Sequence, residues 1–354
     1  MKKVSFLYLI IVSSIVFAQI PPGYYNTAQG LTGNALKTAL HNIIDNHTQV
    51  SYNGLWNAYK KTDIKPNGKV WDMYSDIPSG TPPYQFTFVT DQCGNYSVEG
   101  DCYNREHSWP QSWFNSLTGP VSDLFHVYPT DGKVNGLRSN YPYGNVTVTD
   151  TITLNGSRFG NCSDLGYSLK AFEPIDEYKG DLARTYFYMS TRYYTEDAGW
   201  STSAATNKST ILPWQVNVLL QWHHQDPVSA KEIARNDSIY YKFQNNRNPF
   251  IDNPQWADSI WTMDVTVFLK QYEFAYAFSL APNPSQDVFS ITAQTKHTDN
   301  CTITITDITG KLIEEHHTSF MESLQIDCSK WQKGLYFITV SNTQSRSNFK
   351  FLKE

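Results

Sequence analysis

The C-terminal segment 276–354 alternates between apolar and polar side chains in several short runs. The clearest runs begin at Asp287, Cys301, Leu324 and Gly334, and turn-forming residues separate them. Alternation with a period of two places one row of side chains in a core and the other in solvent, as in a half-buried β-strand. Several short strands at this spacing predict a small all-β, immunoglobulin-like sandwich. The segment 19–275 is then a domain of its own.

The rest of the chain is long and aromatic enough to build a separate core. The protein has 354 residues, and 15% of them are Phe, Trp or Tyr. A chain of this length predicts about two domains, and disordered chains are poor in aromatic residues. The formal net charge of −5 excludes a broadly basic, histone-like nucleic-acid binder.

The N-terminus has the anatomy of a secretory signal peptide. Lys2 and Lys3 precede an apolar run from Val4 to Phe17, and Ala18 offers a small residue at a cleavage point. The run is shorter than the about 20 residues that a membrane-spanning helix needs. We therefore expect residues 1–18 to be removed on export, and no stable membrane span.

The cysteines fit an exported chain. Cys93 and Cys102 lie close together in sequence, and we predict that they form a disulfide, since exported proteins mature in an oxidising compartment. Cys301 and Cys328 offer a second pairing in the tail, which leaves Cys162 over.

One pair of neighbouring residues carries the chemistry that stands out. Glu106 offers a hard oxygen ligand beside His107, a base that titrates near neutral pH, and Asn135 offers a neutral amide oxygen. One carboxylate and one amide suit Mg²⁺ that also binds water and substrate phosphate. Two simpler interpretations stay open: Asn135 with Gly136 can form a turn, and Asp123 with His126 can form a structural pair. Neighbours in a strand also point to opposite faces, so one shared site requires the strand to end or twist there.

Four segments resemble the bacterial endonuclease I family, in the same order. They are REHSWP at 105–110, DLFHVYPTDGKVNGLRSNYPYG at 123–144, FEPIDEYKGDLARTYFYM at 172–189 and NRNPF at 246–250. The resemblance implies an α+β domain with a ββα-metal (His-Me finger) core. It also implies a secreted, metal-dependent, nonspecific endonuclease that cuts DNA, with RNA as a further substrate, to 5′-phosphate products.

The resemblance also assigns roles to residues. His107 matches the general base, and Glu106 and Asn135 match the metal ligands, with Mg²⁺ as the expected ion and Mn²⁺ or Ca²⁺ as alternatives. Arg138 and Asn140 lie in the same segment as Asn135 and are candidates to orient the site or contact phosphate.

One family feature is missing from the sequence. The family carries a phosphate-steadying arginine in the loop between the two central segments, but residues 108–122 contain no Arg or Lys. Arg105, Arg138 and Arg184 are the candidates to replace it.

The tail resembles a sorting domain of the type IX secretion system. The resemblance rests on APNPS at 281–285, DITGK at 307–311, KGLYFITV at 333–340 and the basic end at 349–353. It implies passage through that secretion machinery and a secreted or surface-attached protein, which we expect to be a monomer. Two alternatives remain: a surface adhesin or glycan-binding module without catalysis, and a phosphodiesterase acting on small molecules.

Overall fold

The computed structural model describes residues 20–262, 278–293, 300–308, 310–319, 323–341 and 346–354. The predicted signal peptide 1–18 and the predicted domain boundary at 275/276 lie outside these ranges. The chain forms two compact units, one ending at Thr262 and the other following it. No helix within the described ranges is long and apolar enough to cross a membrane.

The first unit mixes helices with short antiparallel strands, as the α+β prediction requires. Its helices are α1 Gly33–Ile44, α2 Leu55–Thr62, α3 Gly132–Arg138, α4 Lys179–Arg192, α5 Pro213–Gln225, α6 Ala230–Ile239, α7 Pro249–Asp252 and α8 Gln255–Trp261. Its strands are β1 Tyr103–His107, β2 Val127–Asp131, β3 Val146–Ile152, β4 Arg158–Cys162, β5 Lys170–Glu173, β6 Thr206–Asn207 and β7 Thr210–Ile211. The strands form three separate sheets: β1 with β2, β3 with β4 and β5, and β6 with β7.

Helix α4 is the centre of the first unit. Every residue of α4 is buried, and the helix packs against α1 on one side and α5 on another. Leu182, Tyr186 and Met189 face the core as their helical spacing predicts. The tyrosines of α4 also reach distant polar groups: the Tyr188 hydroxyl donates to Asp123, which identifies Asp123 as a structural acceptor.

Helix α6 begins where its sequence predicts. Ser229 accepts a hydrogen bond from the Glu232 amide, and the Glu232 carboxylate accepts one from the Ser229 amide, a complete capping box. The helix continues into one π-helical turn over Tyr240–Gln244.

The second unit is the predicted all-β sandwich. Its strands are β8 Phe278–Ala281, β9 Val288–Ala293, β10 Asn300–Asp307, β11 Leu312–Ser319, β12 Ser323–Asp327, β13 Gly334–Ser341 and β14 Arg346–Lys353. They form a three-stranded sheet in the order β12-β9-β8 and a four-stranded sheet in the order β11-β10-β13-β14. Side chains of both sheets, such as Phe289, Ile303 and Ile338, share one apolar core.

The cysteine predictions have different outcomes. The disulfide between Cys93 and Cys102 is present, with 5.7 Å between the two Cα atoms. No disulfide joins Cys301 to Cys328, which corrects the second pairing. Both of these side chains are buried in the core of the tail unit. Cys162 is buried with a reduced thiol, and burial raises the pKa of that thiol.

Candidate active site

The candidate site is built on a β-hairpin that leads directly into a helix. Strands β1 and β2 pair antiparallel, with Glu106 opposite Tyr128 and His107 opposite Val127. Helix α3 follows β2 without a gap, and Asp131 caps it by accepting a hydrogen bond from the Val134 amide. This order of two strands and a helix is the predicted ββα arrangement.

Helix α3 packs on the side of β1 that carries Asn104 and Glu106. The Asn135 side-chain amide donates to Oδ1 of Asn104 at 2.7 Å, and it lies 3.4 Å from the Arg105 carbonyl. One turn later, Nη1 of Arg138 donates to Oε1 of Glu106 at 2.9 Å. The structure therefore brings Glu106, Asn135 and Arg138 together between one strand and one helix.

Arg138 hydrogen-bonds the backbone at the C-terminal end of β1. Its guanidinium is fully buried and donates to the carbonyl oxygens of His107, at 2.8 Å, and of Ser108. Its guanidinium carbon also lies 4.4 Å from the centre of the Tyr143 ring. The guanidinium of Arg138 is therefore enclosed between Glu106 and the backbone that follows it.

Glu106 is a buried carboxylate whose hydrogen-bond donors include Arg138, Tyr74 and Tyr143. Tyr74 donates its hydroxyl to Oε1 of Glu106 at 2.8 Å, the same oxygen that Arg138 contacts. Burial raises the pKa of the Glu106 carboxyl, and the adjacent Arg138 charge opposes that rise.

His107 is the last residue of β1, and its ring lies on the other side of the strand. Its Nε2 lies 2.9 Å from the Val121 carbonyl, and its Nδ1 lies 3.1 Å from the Gln111 side-chain amide. A carbonyl can only accept, so Nε2 carries the proton and Nδ1 is the basic nitrogen.

The surroundings keep His107 neutral. Burial lowers the pKa of His107 to about 3, and the neighbouring His126 ring adds to the effect. The centres of the two rings are 5.5 Å apart. A neutral imidazole with a defined acceptor nitrogen can take up a proton, and a pKa this low makes it a weaker base than an exposed histidine.

Arg105 is on the same side of β1 as His107. Its guanidinium carbon lies 3.6 Å from the centre of the Tyr52 ring and 4.6 Å from that of Trp56, and Nη1 donates to the Tyr52 carbonyl at 2.9 Å. The Tyr52 ring also neighbours His107, with 5.9 Å between ring centres. Of the three candidate arginines, Arg105 is the one that is half-buried rather than enclosed.

The other two candidate contacts lie apart from this group. Arg184 is fully buried and donates to both carboxylate oxygens of Glu232, at 2.5 Å and 2.8 Å, so its guanidinium serves the scaffold. Asn140 is exposed just beyond α3, with its amide 3.4 Å from the Ser112 hydroxyl. The substrate contacts predicted for Arg184 and Asn140 both stay predictions, and the structure places Arg184 in a fully buried position.

The donor set fits a weakly coordinated hard cation. Among the described residues, no three His, Cys, Asp or Glu side chains group into a metal cage. Both short contacts of the Asn135 amide use Nδ2, so its orientation leaves Oδ1 as the end that can accept a ligand. One carboxylate and one amide oxygen suit Mg²⁺, which keeps several waters and takes substrate oxygens.

Sequence reasoning missed four partners of these residues: Tyr52, Tyr74, Asn104 and Gln111. Gln111 and Asn104 lie within four residues of the Glu106–His107 pair, so their closeness was a usable signal. Tyr52 and Tyr74 are far away in sequence, and no local pattern indicates that they reach this strand.

Comparison with known proteins follows the same division of the chain. The family model for Endonuclease I matches residues 32–255, and the model for the secretion system C-terminal sorting domain matches 279–354. An extracellular ribonuclease of Bacillus amyloliquefaciens is 38% identical over 67% of this chain and 78% of its own length. An extracellular ribonuclease of Bacillus subtilis is 37% identical over the same shares. A periplasmic deoxyribonuclease of Aeromonas hydrophila is 28% identical over 42% of this chain and 53% of its own.

The two family matches together cover most of the chain, and each falls within one of the two compact units. The match to the sorting domain assigns the chain to export through that secretion system. The protein therefore belongs to the Endonuclease I family and is an endonuclease that is secreted or held at the cell surface.

Proposed function

We propose that this endonuclease is metal-dependent and nonspecific, and that it hydrolyses DNA and RNA to products with 5′-phosphates. The observation that carries the proposal is that β1 ends at His107, which lets side chains from both sides of the strand serve one site. Glu106 and Asn135 lie on one side, and the basic Nδ1 of a neutral His107 lies on the other.

In this proposal His107 is the general base. A water molecule replaces the Gln111 amide at Nδ1 and gives its proton to that nitrogen, and the water oxygen attacks phosphorus in line with the 3′ oxygen. The bond from phosphorus to the 3′ oxygen breaks, and that oxygen takes up a proton from solvent water, which leaves a 3′-hydroxyl and a 5′-phosphate. The Val121 carbonyl holds Nε2–H, so the ring keeps its orientation as it becomes charged. A positioned base contributes about 10²–10⁴-fold to the rate.

Glu106 and Asn135 would hold the cation through one oxygen each. A bound Mg²⁺ supplies Lewis-acid stabilisation of the negative charge that develops on the phosphate. Arg138 and Tyr74 hold the Glu106 carboxylate in one orientation, and Asn104 holds the Asn135 amide. Mn²⁺ and Ca²⁺ share the preference for oxygen ligands and are alternatives to Mg²⁺.

Arg105 is the proposed replacement for the missing loop arginine. Its guanidinium is stacked on Tyr52 next to His107, and a planar guanidinium suits a phosphate. We keep Asn140 as a further proposed contact because it is exposed at the end of α3.

The proposed substrate range follows from what the site contacts. A cation, a base and an arginine read phosphate and carry no information about bases. The names of the relatives point the same way, since they include both ribonucleases and deoxyribonucleases.

The test is digestion of supercoiled plasmid and of a structured RNA by the mature oxidised protein, with Mg²⁺ and then with EDTA. We expect cutting of both substrates with Mg²⁺ and none with EDTA. Labelling of the product 5′ ends before and after phosphatase treatment checks the position of the phosphate, since a 5′-phosphate must be removed before that end can be labelled.

One comparison separates this proposal from a rival, and two further checks guard its interpretation. A chromogenic phosphodiester that is cut faster than plasmid would favour the small-molecule phosphodiesterase. Cutting that continues at full rate in EDTA would contradict metal dependence, and His224→Ala, at an exposed histidine, controls for handling of the variants.

A further inference from the structure

The loop closed by the Cys93–Cys102 disulfide lies against the first turn of α3. The Gly100 amide donates to Oδ2 of Asp131 at 2.7 Å, and the Gly132 amide donates to the Cys102 carbonyl at 2.9 Å. The start of α3, the helix that carries Asn135, is thus hydrogen-bonded to Gly100 and Cys102 at the C-terminal end of this loop.

Tyr96, inside the same loop, lies directly on the backbone of α3. A Cβ atom added to Gly132 would lie 2.5 Å from Cδ1 of the Tyr96 ring, and one added to Gly136 would lie 2.5 Å from the Tyr96 hydroxyl. No side chain larger than hydrogen fits at either position unless the ring moves. The Tyr96 ring therefore packs against Gly132 and Gly136, which lie one helical turn apart.

The ring and strand β1 hold α3 from two directions. Asn135 immediately precedes Gly136, and its amide bonds Asn104 on β1, while the Tyr96 ring covers the adjoining glycine face. Helix α3 has only seven residues, and a helix this short does not hold its own geometry in water. Its rotation and height relative to β1 are set by these contacts.

We propose that Tyr96 is a positioning residue for metal binding. Its ring fixes the orientation of α3 and so directs Oδ1 of Asn135 toward the cation held by Glu106. This inference rests on the proposed function of Glu106 and Asn135. A Cβ atom at Gly136 would also lie 3.2 Å from Cε2 and Cζ of the ring, so ring carbons reach both glycines and we assign the positioning to the ring.

The test measures Mn²⁺ binding by electron paramagnetic resonance, with the full-length mature protein in oxidised form and no substrate. We expect Tyr96→Ala to weaken Mn²⁺ binding by about tenfold, the lower end for groups that orient metal ligands. Tyr96→Phe keeps the ring and should bind like wild type. Tyr167→Ala, which removes another half-buried tyrosine stacked on Trp214, is the matched control and should leave Mn²⁺ binding unchanged.

A second variant guards against misfolding of Tyr96→Ala. Gly136→Ala pushes against the ring and should weaken Mn²⁺ binding in the wild-type background, but add nothing further in a Tyr96→Ala background. Wild-type binding by both single variants would overturn the inference while the proposed function stands. Wild-type protein that neither binds Mn²⁺ nor cuts plasmid would end the proposed function, and this inference with it.

Discussion

Two fully buried arginines, Arg138 and Arg184, each pair with a buried glutamate, but they lie in different regions. Arg184 donates to both oxygens of Glu232, at the start of α6. Arg138 donates to one oxygen of Glu106, to the backbone carbonyls of His107 and Ser108, and to the Tyr186 hydroxyl. The burial and charge of the two pairs are alike, so neither property marks a functional site by itself.

The two pairs differ in which oxygens of the glutamate carboxylate accept hydrogen bonds. Glu232 accepts from Arg184 on both oxygens and also from the Ser229 amide, so its carboxylate is fully committed. In the Glu106 pair, Arg138 and Tyr74 both bond Oε1. A closed pair stabilises the fold, while a pair bonded through one oxygen can orient a ligand for something else.

The largest effect is expected at His107, whose backbone carbonyl accepts a hydrogen bond from Arg138. His107→Ala removes the basic nitrogen but leaves the carbonyl that Arg138 binds, so the protein should fold and lose about 10²–10⁴-fold in kcat. The measurement is plasmid cleavage at saturating Mg²⁺, with His224→Ala retaining wild-type kcat. Cleavage by His107→Ala at the wild-type rate would remove this residue from the base role.

A smaller loss of activity is expected when the Arg138 pair is altered. Arg138→Lys keeps the charge but loses the forked geometry that reaches Glu106 and two carbonyls at once. Groups that orient metal ligands contribute about 10–100-fold, and we expect a loss of kcat/KM in that range. The apparent Mg²⁺ affinity should fall with it, and unchanged Mg²⁺ dependence would contradict the orienting role.

The smallest effect on activity is expected at the closed pair. Arg184→Met leaves Glu232 buried without its partner and should lower the free energy of unfolding by about 3–5 kcal/mol. The kcat of the folded protein should stay at the wild-type value, because Arg184 touches none of the proposed site residues. Urea unfolding measures the free energy of unfolding, and plasmid cleavage at urea concentrations well below the unfolding midpoint measures kcat. A large fall in the kcat of the folded variant would contradict the separation of Arg184 from the proposed site.

Local patterns were sufficient for the elements with a strong period or a defined cap. The alternation after residue 276 predicts the sandwich, and the Ser229–Glu232 spacing predicts the start of α6. The disulfide between Cys93 and Cys102 follows from their closeness, whereas the pairing of Cys301 with Cys328 does not occur.

The faces of β1 were also foreseeable in part. Period-two geometry requires Glu106 and His107 to point apart, and they do: α3 covers the first, while Tyr52 and Gln111 neighbour the second. The role of Arg184 was not foreseeable, because a cation on an apolar helix face looks the same in sequence whether it meets a substrate or a buried glutamate.

The sequence by itself determined the division into two domains, the residue types of the site and their order along the chain. It did so because strand alternation, caps and short motifs act between residues near each other in sequence. Only the tertiary structure decided which nitrogen of His107 is basic, which arginine is enclosed, and why α3 carries glycine at 132 and 136. Those outcomes depend on Val121, Glu232 and Tyr96, which reach their partners only when the chain has folded.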